Sequence, residues 1–163
     1  MRKLFVFGFY VIVLCGTVKT QTLDEFPKLN ITDWIKGKPG DIGKWGDGKV
    51  YVIDLWGTWC MPCIKNIPEL TNLQKQYGKQ GLVVVGYSWE EPTNLKKFVE
   101  KQGDRMQYTL VNDSEEKTLK YLAEEKEVVE GFPYAFVIDR KGRVVWQGAP
   151  QDGLEDFLAL LFE

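Results

Sequence analysis

Apolar residues in this 163-residue chain fall into runs whose spacing switches between the two-residue period of a strand and the three-to-four-residue period of a helix. Val50, Tyr51, Val52, Ile53, Leu55 and Trp56 make a nearly unbroken run of strand length, the pattern of a strand covered on both faces. Over residues 62–80 the apolar positions are Ile64, Ile67, Leu70, Leu73 and Tyr77, one face of a helix that Gly78 and Gly81 end and that Pro68 should kink. A strand over residues 82–87 follows, then a helix opened by Pro92 and running to about residue 102, with Leu95, Phe98 and Val99 inward. Residues 108–111 read as a short strand, and residues 115–127 as a charged helix packing through Leu119, Leu122 and Ala123. Strands over 135–138 and 143–147 pair as a hairpin across Asp139-Arg140-Lys141-Gly142, and residues 154–162 form a closing amphipathic helix. Ahead of all these, residues 29–35 read as a short edge strand, joined to the first core strand by a glycine-rich stretch over 37–48. The alternation predicts an α/β fold with a mixed central sheet and helices on both faces.

Composition sharpens this picture in two ways. With 44% hydrophobic and 13% aromatic residues the chain can bury one sizeable core. Its net charge of −2 becomes more negative once Arg2, Lys3 and Lys19 are set aside, and without a basic block there is no basis for nucleic acid as a partner. Those cations belong to a targeting segment: Arg2 and Lys3 precede an apolar stretch over 4–16, too short for a comfortable membrane span and of the length of a signal-peptide core. The chain therefore divides into a signal peptide or N-terminal anchor (1–20), an N-terminal extension (21–48) and a domain (49–163). Cys15 raises a lipid-anchor reading, but Leu14 before it is bulky where such a site takes a small residue. Export makes the location periplasmic or otherwise extracytoplasmic, where no cytosolic glutathione pool keeps thiols reduced.

The chemistry sits where the first core strand meets the first helix, in Trp56-Gly57-Thr58-Trp59-Cys60-Met61-Pro62-Cys63. Two cysteines three positions apart at a helix N-terminus make a redox dithiol, since the partial positive charge there stabilises a thiolate on the first sulfur. Zinc would need further soft ligands, and the chain has no histidine and only Cys15 besides. A purely structural disulfide would constrain little across two residues. Cys60, first in the pair and expected to be accessible, is the candidate nucleophile, and Cys63 the resolving cysteine. Asp54, inside the apolar strand, is the candidate proton holder, because a carboxylate there is expensive without a partner. Glu90 and Glu91 precede Pro92 and read as ordinary partners of a helix N-terminus.

These residues resemble the thioredoxin superfamily, and within it the TlpA-like and ResA-like exported reductases. Residues 52–63 are similar to the active-site signature, Pro68 falls at the kinking proline, and Gly131-Phe132-Pro133-Tyr134 with the strand and Lys141-Gly142 after it is similar to the cis-proline segment and hairpin. The resemblance implies a thioredoxin-like three-layer sandwich, a cis bond before Pro133, and substrate contact by Trp59, Met61, Phe132 and Pro133, with Trp56 kept for the core. It implies no cofactor beyond a Cys60–Cys63 redox disulfide and no metal. As partners it implies protein thiol or disulfide substrates and a membrane electron donor for a monomer, in cytochrome c maturation or general thiol repair. Proline rather than histidine before Cys63 resembles the reducing members. Asn66 stands where the ResA-like branch often carries glutamate, and Asp54 where many of them have asparagine, so the proton-handling acid has moved from helix to strand. Phe132 and Tyr134 replace the small residue and threonine common around the proline, which changes the expected substrate preference. The alternatives are a peroxiredoxin-like peroxidase and a non-catalytic thioredoxin-fold binding module.

Overall fold

In the computed structural model, which describes residues 24–126, 128, 129 and 131–163, the run read as a doubly covered strand is β2 (Val50–Leu55), with every side chain buried. The expected signal or anchor segment and Cys15 lie outside the described residues. Before β2 comes β1 (Asp33–Lys36); after it come α1 (Met61–Tyr77), β3 (Leu82–Ser88), α2 (Pro92–Gln102), β4 (Thr109–Asn112) and α3 (Lys117–Lys120). The chain closes with β5 (Tyr134–Ile138), β6 (Val144–Gly148) and α4 (Leu154–Phe162). The strands form one sheet in the order β1-β4-β3-β2-β5-β6. Strands β2, β3 and β4 run parallel, and β1, β5 and β6 are antiparallel to their neighbours.

Strand alternation divides the core in two. Val50, Val52 and Trp56 of the β2 region point to one face, where α1, α2 and α4 pack through Ile67, Leu70, Leu95 and Leu158. Tyr51, Ile53 and Leu55 point to the other, covered by Leu122 beyond α3 and by Phe26 and Leu29 from the N-terminal extension. Residues 24–48 thus pack onto the rest of the fold, and the edge strand expected over 29–35 lies later and is shorter, as β1 over 33–36. Asp113 ties the extension down: its carboxylate accepts from the Asn30 amide at 2.6 Å, the Tyr87 hydroxyl at 2.7 Å and the Thr118 backbone N–H at 3.0 Å. Burial alone would raise its pKa, but these bonds outweigh burial and hold it below the ordinary carboxylate value.

The helix expected over 115–127 is shorter and changes pitch. Glu116 adopts a left-handed φ of 58°, so the helix begins at Lys117, and Tyr121–Glu125 form a wider π-turn in which the Lys126 N–H reaches back to the Tyr121 carbonyl. Pro68 lies inside α1, as read, and the helix continues past it to Tyr77. In the hairpin, the Asp139 carboxylate accepts from the backbone N–H groups of Lys141 and Arg143, each at 2.9 Å, and fixes the turn.

One glycine is required by close packing rather than by a turn. Gly86 on β3 pairs in register with Asp54, and a Cβ there would lie 2.6 Å from Leu110 Cδ2, 3.0 Å from Trp56 Nε1 and 3.1 Å from Tyr108 Cε2. Gly86→Ala is therefore expected to destabilise the fold by about 1–3 kcal/mol through overpacking, read as a lower urea midpoint at unchanged slope.

Candidate active site

The C-terminal end of β2 delivers the chain directly into the dithiol. Trp56 still bonds to the sheet, its N–H donating to the Tyr87 carbonyl, and Gly57 and Thr58 turn the chain so that Cys60 becomes the N-cap of α1. Cys60 and Cys63 form a disulfide, with Cα atoms 5.3 Å apart. The Cys63 backbone N–H donates to Cys60 Sγ at 3.3 Å, so the first helical amides and the helix dipole face the first sulfur. Pro62 occupies the first turn, where its missing N–H costs nothing.

Cys60 is less accessible than its position suggested. It is 4% exposed and Cys63 2%, whereas the flanking Trp59 and Met61 are 58% and 62% exposed. The disulfide packs into the core cluster with Trp56 and Ile67, and the side chains on either side of Cys60 form the surface. Trp59 contacts Phe132, ring centroids 5.9 Å apart, and both contact Trp89, at 6.3 and 4.8 Å. The Phe132–Pro133 peptide is cis, as the resemblance implied. Trp56 is 1% exposed and sits in the core, tilted against Phe98.

Trp89 and Glu90 were not identified as site residues from the sequence. The Glu90 carboxylate accepts from the Thr58 N–H and from the Thr58 hydroxyl, both at 2.7 Å, and so clamps the loop that carries Trp59 and Cys60. Glu91 is the residue that caps α2, accepting from the N–H groups of Thr93 and Asn94. Of the two acids expected at the helix start, only the second serves there. The signal was topological: Trp89 and Glu90 directly follow the C-terminal end of β3, the parallel neighbour of β2, and sites in parallel sheets gather at the carboxyl ends of adjacent strands.

Asp54 lies on β2 beneath this loop, 2% exposed, and its Oδ1 has no hydrogen-bond partner. Burial pushes its pKa up to about 7. Asn66, on α1 one turn beyond Cys63, is buried and donates to Gln151 Oε1 at 3.1 Å. Among the described residues no three His, Cys, Asp or Glu side chains gather in a way that would hold a metal ion, and no helix is long and apolar enough to cross a membrane. A groove between Lys36, Lys49, Gln74 and Thr109 opens at the N-terminal ends of β2 and β3, the end of the sheet opposite the disulfide.

A thioredoxin-like sandwich with a Cys-x-x-Cys disulfide capping the helix after its central strand defines a thiol-disulfide oxidoreductase, whose substrates are thiols and disulfides. The chain belongs to the AhpC/TSA family, which it matches over residues 23–147. It is 30% identical over 130 residues to the thiol-disulfide oxidoreductase ResA of Bacillus thuringiensis (strain Al Hakam), covering 79% of this chain and 70% of that one. It is 33% identical over 98 residues to ResA of Geobacillus thermodenitrificans, covering 60% of this chain but only about half, 52%, of the relative. A crystal structure from Chlorobium tepidum assigned to the thiol:disulfide interchange protein DsbE superposes with a TM-score of 0.68 at 26% identity, covering 87% of this chain and all of that one.

The burial of Asp54 predicts how stability varies with pH. In the unfolded chain the group ionises near its ordinary value of 3.8, and in the folded chain at about 7. Between these values the folded state keeps a proton that the unfolded state has lost, so stability falls as pH rises through this window and the cost persists above it. Asp54→Asn, which retains the shape of the neutral acid, is expected to match the wild type near pH 4 and exceed it by roughly 2–4 kcal/mol at pH 8. Urea denaturation of the oxidised proteins at the two pH values checks this.

Proposed function

We propose that the chain is an exported reductase of protein disulfides, working through Cys60 as nucleophile and Cys63 as resolving thiol. The observation that carries this reading is the position of Cys60 as N-cap of α1, with the Cys63 N–H on its sulfur. In the reduced protein that amide and the helix dipole favour the Cys60 thiolate. The thiolate attacks a substrate disulfide, forming a Cys60–substrate bond and releasing one substrate thiolate. Cys63 then loses its proton to Asp54 and attacks Cys60 Sγ. The Cys60–substrate bond breaks, the second substrate thiolate leaves, and two electrons have passed from the dithiol to the substrate. Asp54 suits the proton step because its pKa lies near neutrality.

Trp59, Met61 and Phe132, joined by Trp89, form the substrate-facing rim. An exposed aromatic surface beside a recessed sulfur suits an extended, apolar segment of a protein more than a small polar disulfide. Phe132 and Pro133 meet that segment with their backbone in this reading, in the manner of an added strand. An N-terminal segment that exports the chain or anchors it would set this chemistry outside the cytoplasm, and a membrane electron donor would return the disulfide to the dithiol. The protein would work as a monomer, with no cofactor beyond its cysteines, in cytochrome c maturation or general thiol repair.

Cys60→Ala is expected to abolish disulfide reduction, whereas Cys63→Ala still attacks and accumulates mixed disulfides. Mass spectrometry after alkylation should find substrate on Cys60; substrate trapped on Cys63 would reverse the roles. The reducing direction is tested by potential. Neither Met61 nor Pro62 offers a cation or hydrogen-bond donor from its side chain, so Cys60 has only the helix to stabilise its thiolate. Glutathione titration should give a value nearer the roughly −270 mV of thioredoxin than the roughly −120 mV of DsbA. A potential above about −180 mV would make the protein an oxidase or isomerase instead.

A further inference from the structure

Three buried polar atoms on the side of the sheet that carries the disulfide have no hydrogen-bond partner: Asp54 Oδ1, Trp56 Nε1 and the Tyr108 hydroxyl. Gly86 brings them together. It is the register partner of Asp54 across the β2–β3 pair, and both Trp56 Nε1 and Tyr108 Cε2 lie about 3 Å from where its Cβ would stand. The missing side chain lets the indole N–H and the phenol edge close over the strand beside the carboxylate. Tyr108 is 4% exposed, and the charge of Asp54 acts on it: burial first, and then that carboxylate, hold the phenol well above its ordinary pKa.

An unpaired donor in a protein interior costs about 1–3 kcal/mol, and native cores rarely hold three unpaired groups together without a use for them. Here the groups are complementary. The indole can only donate, the phenol can donate, and an ionised carboxylate can only accept. Resting on the reading of Asp54 as the proton acceptor for Cys63, we propose that the Tyr108 hydroxyl, with the Trp56 N–H beside it, supplies the hydrogen bonds that the ionised Asp54 carboxylate takes. Tyr108 is thus a positioning residue that sets the pH at which the resolving step runs. It acts through Asp54 and needs no contact with substrate.

The surroundings leave these donors as the means of stabilising the charge. On the face of the sheet that Asp54 shares with Val52 and Trp56, α1 presents the two cysteines and Ile67, and α2 presents Leu95. β5 presents Ala135, and the segment entering β4 presents Tyr108. The cysteines, Tyr108 and, at the C-terminal end of α1, Tyr77 are the titratable groups of this cluster; the Lys36 ammonium of β1 donates to the Met106 carbonyl at 2.7 Å, and no Lys or Arg is buried among the described residues. Hydrogen bonding to the charged form lowers a carboxylate pKa, so losing a donor must raise it.

The test follows the two halves of one turnover. Mixing the reduced protein with 5,5′-dithiobis(2-nitrobenzoate) in stopped flow releases one thionitrobenzoate as Cys60 attacks and a second as Cys63 resolves. The second release is measured from pH 5 to 9. Asp54→Asn is expected to flatten its pH dependence. Tyr108→Phe, which removes only an unpaired hydroxyl, should keep the dependence and move its midpoint up by about one pH unit, making resolution about tenfold slower below the midpoint. Trp56→Phe should move it the same way. The first release is the internal reference, since a fold disturbed as a whole would change both phases. An unmoved midpoint in Tyr108→Phe, with the dependence lost in Asp54→Asn, overturns the role of Tyr108 and leaves Asp54 as the base. If Asp54→Asn itself keeps the wild-type midpoint, the base reading fails and the role of Tyr108 fails with it.

Discussion

The parallel pairing of β2 with β3 is the constraint on which the rest of this molecule depends. It matches Val50 to Leu82 and runs without a slip to Leu55 and Tyr87. Two loops therefore leave the same end of the sheet as neighbours. One carries Thr58, Trp59 and Cys60; the other carries Trp89 and Glu90. The clamp of Glu90 on Thr58 and the ring contact of Trp89 with Trp59 are consequences of that register. A slip of one residue would turn Asp54 to the other face of the sheet and bring Ile53 to the face of the disulfide. Register is held because β2 is buried on both faces and has paired strands on both sides, so no alternative alignment keeps both cores filled.

Two opposed electrostatic effects meet at this end of the sheet. The first amides of α1 lower the cost of negative charge on Cys60, and the burial of Asp54 raises the cost of negative charge a few residues upstream. The first sulfur is thereby predisposed to be a thiolate while the carboxyl behind it keeps its proton until near neutrality. The exchange proposed above draws on both effects. Attack takes a charge on one sulfur at the start, which backbone dipoles favour, and resolution takes an ionised carboxylate basic enough to receive a proton, which desolvation favours near neutral pH.

Much of this was legible in the sequence because local chemistry and global topology agree there. The apolar run 50–56 could be only a doubly covered strand, the glycines after Tyr77 ended the helix where it ends, and the cysteine spacing located the reactive turn. The π-turn after Lys120 was not legible, because a helix that widens by one residue keeps nearly the same apolar face; Leu119, Leu122 and Ala123 pack inward either way. Glu90 was misplaced for a related reason. An acid beside a proline at a helix start has a sufficient local role, and only the adjacency of two strands distant in sequence gives it another. The burial of Cys60 likewise depends on side chains from α1 and the sheet closing together, which no local pattern records.

Residues 131–134 show how the side chains mounted on a shared scaffold shape the surface at this end of the sheet. The Phe132–Pro133 peptide is cis, and the strand that follows pairs with β2. What varies is the size of the side chains mounted on it. Phe132 reaches both Trp59 and Trp89, joining the loops after β2 and β3 to the segment before β5 in one aromatic surface. A small residue at position 132 would leave the two tryptophans in contact with each other but with a gap where the third ring packs against both. Three rings drawn from three loops depend on one another for their orientation, since each is packed by the other two. The apolar rim is therefore a property of the assembled sheet end, and it belongs to the three loops jointly.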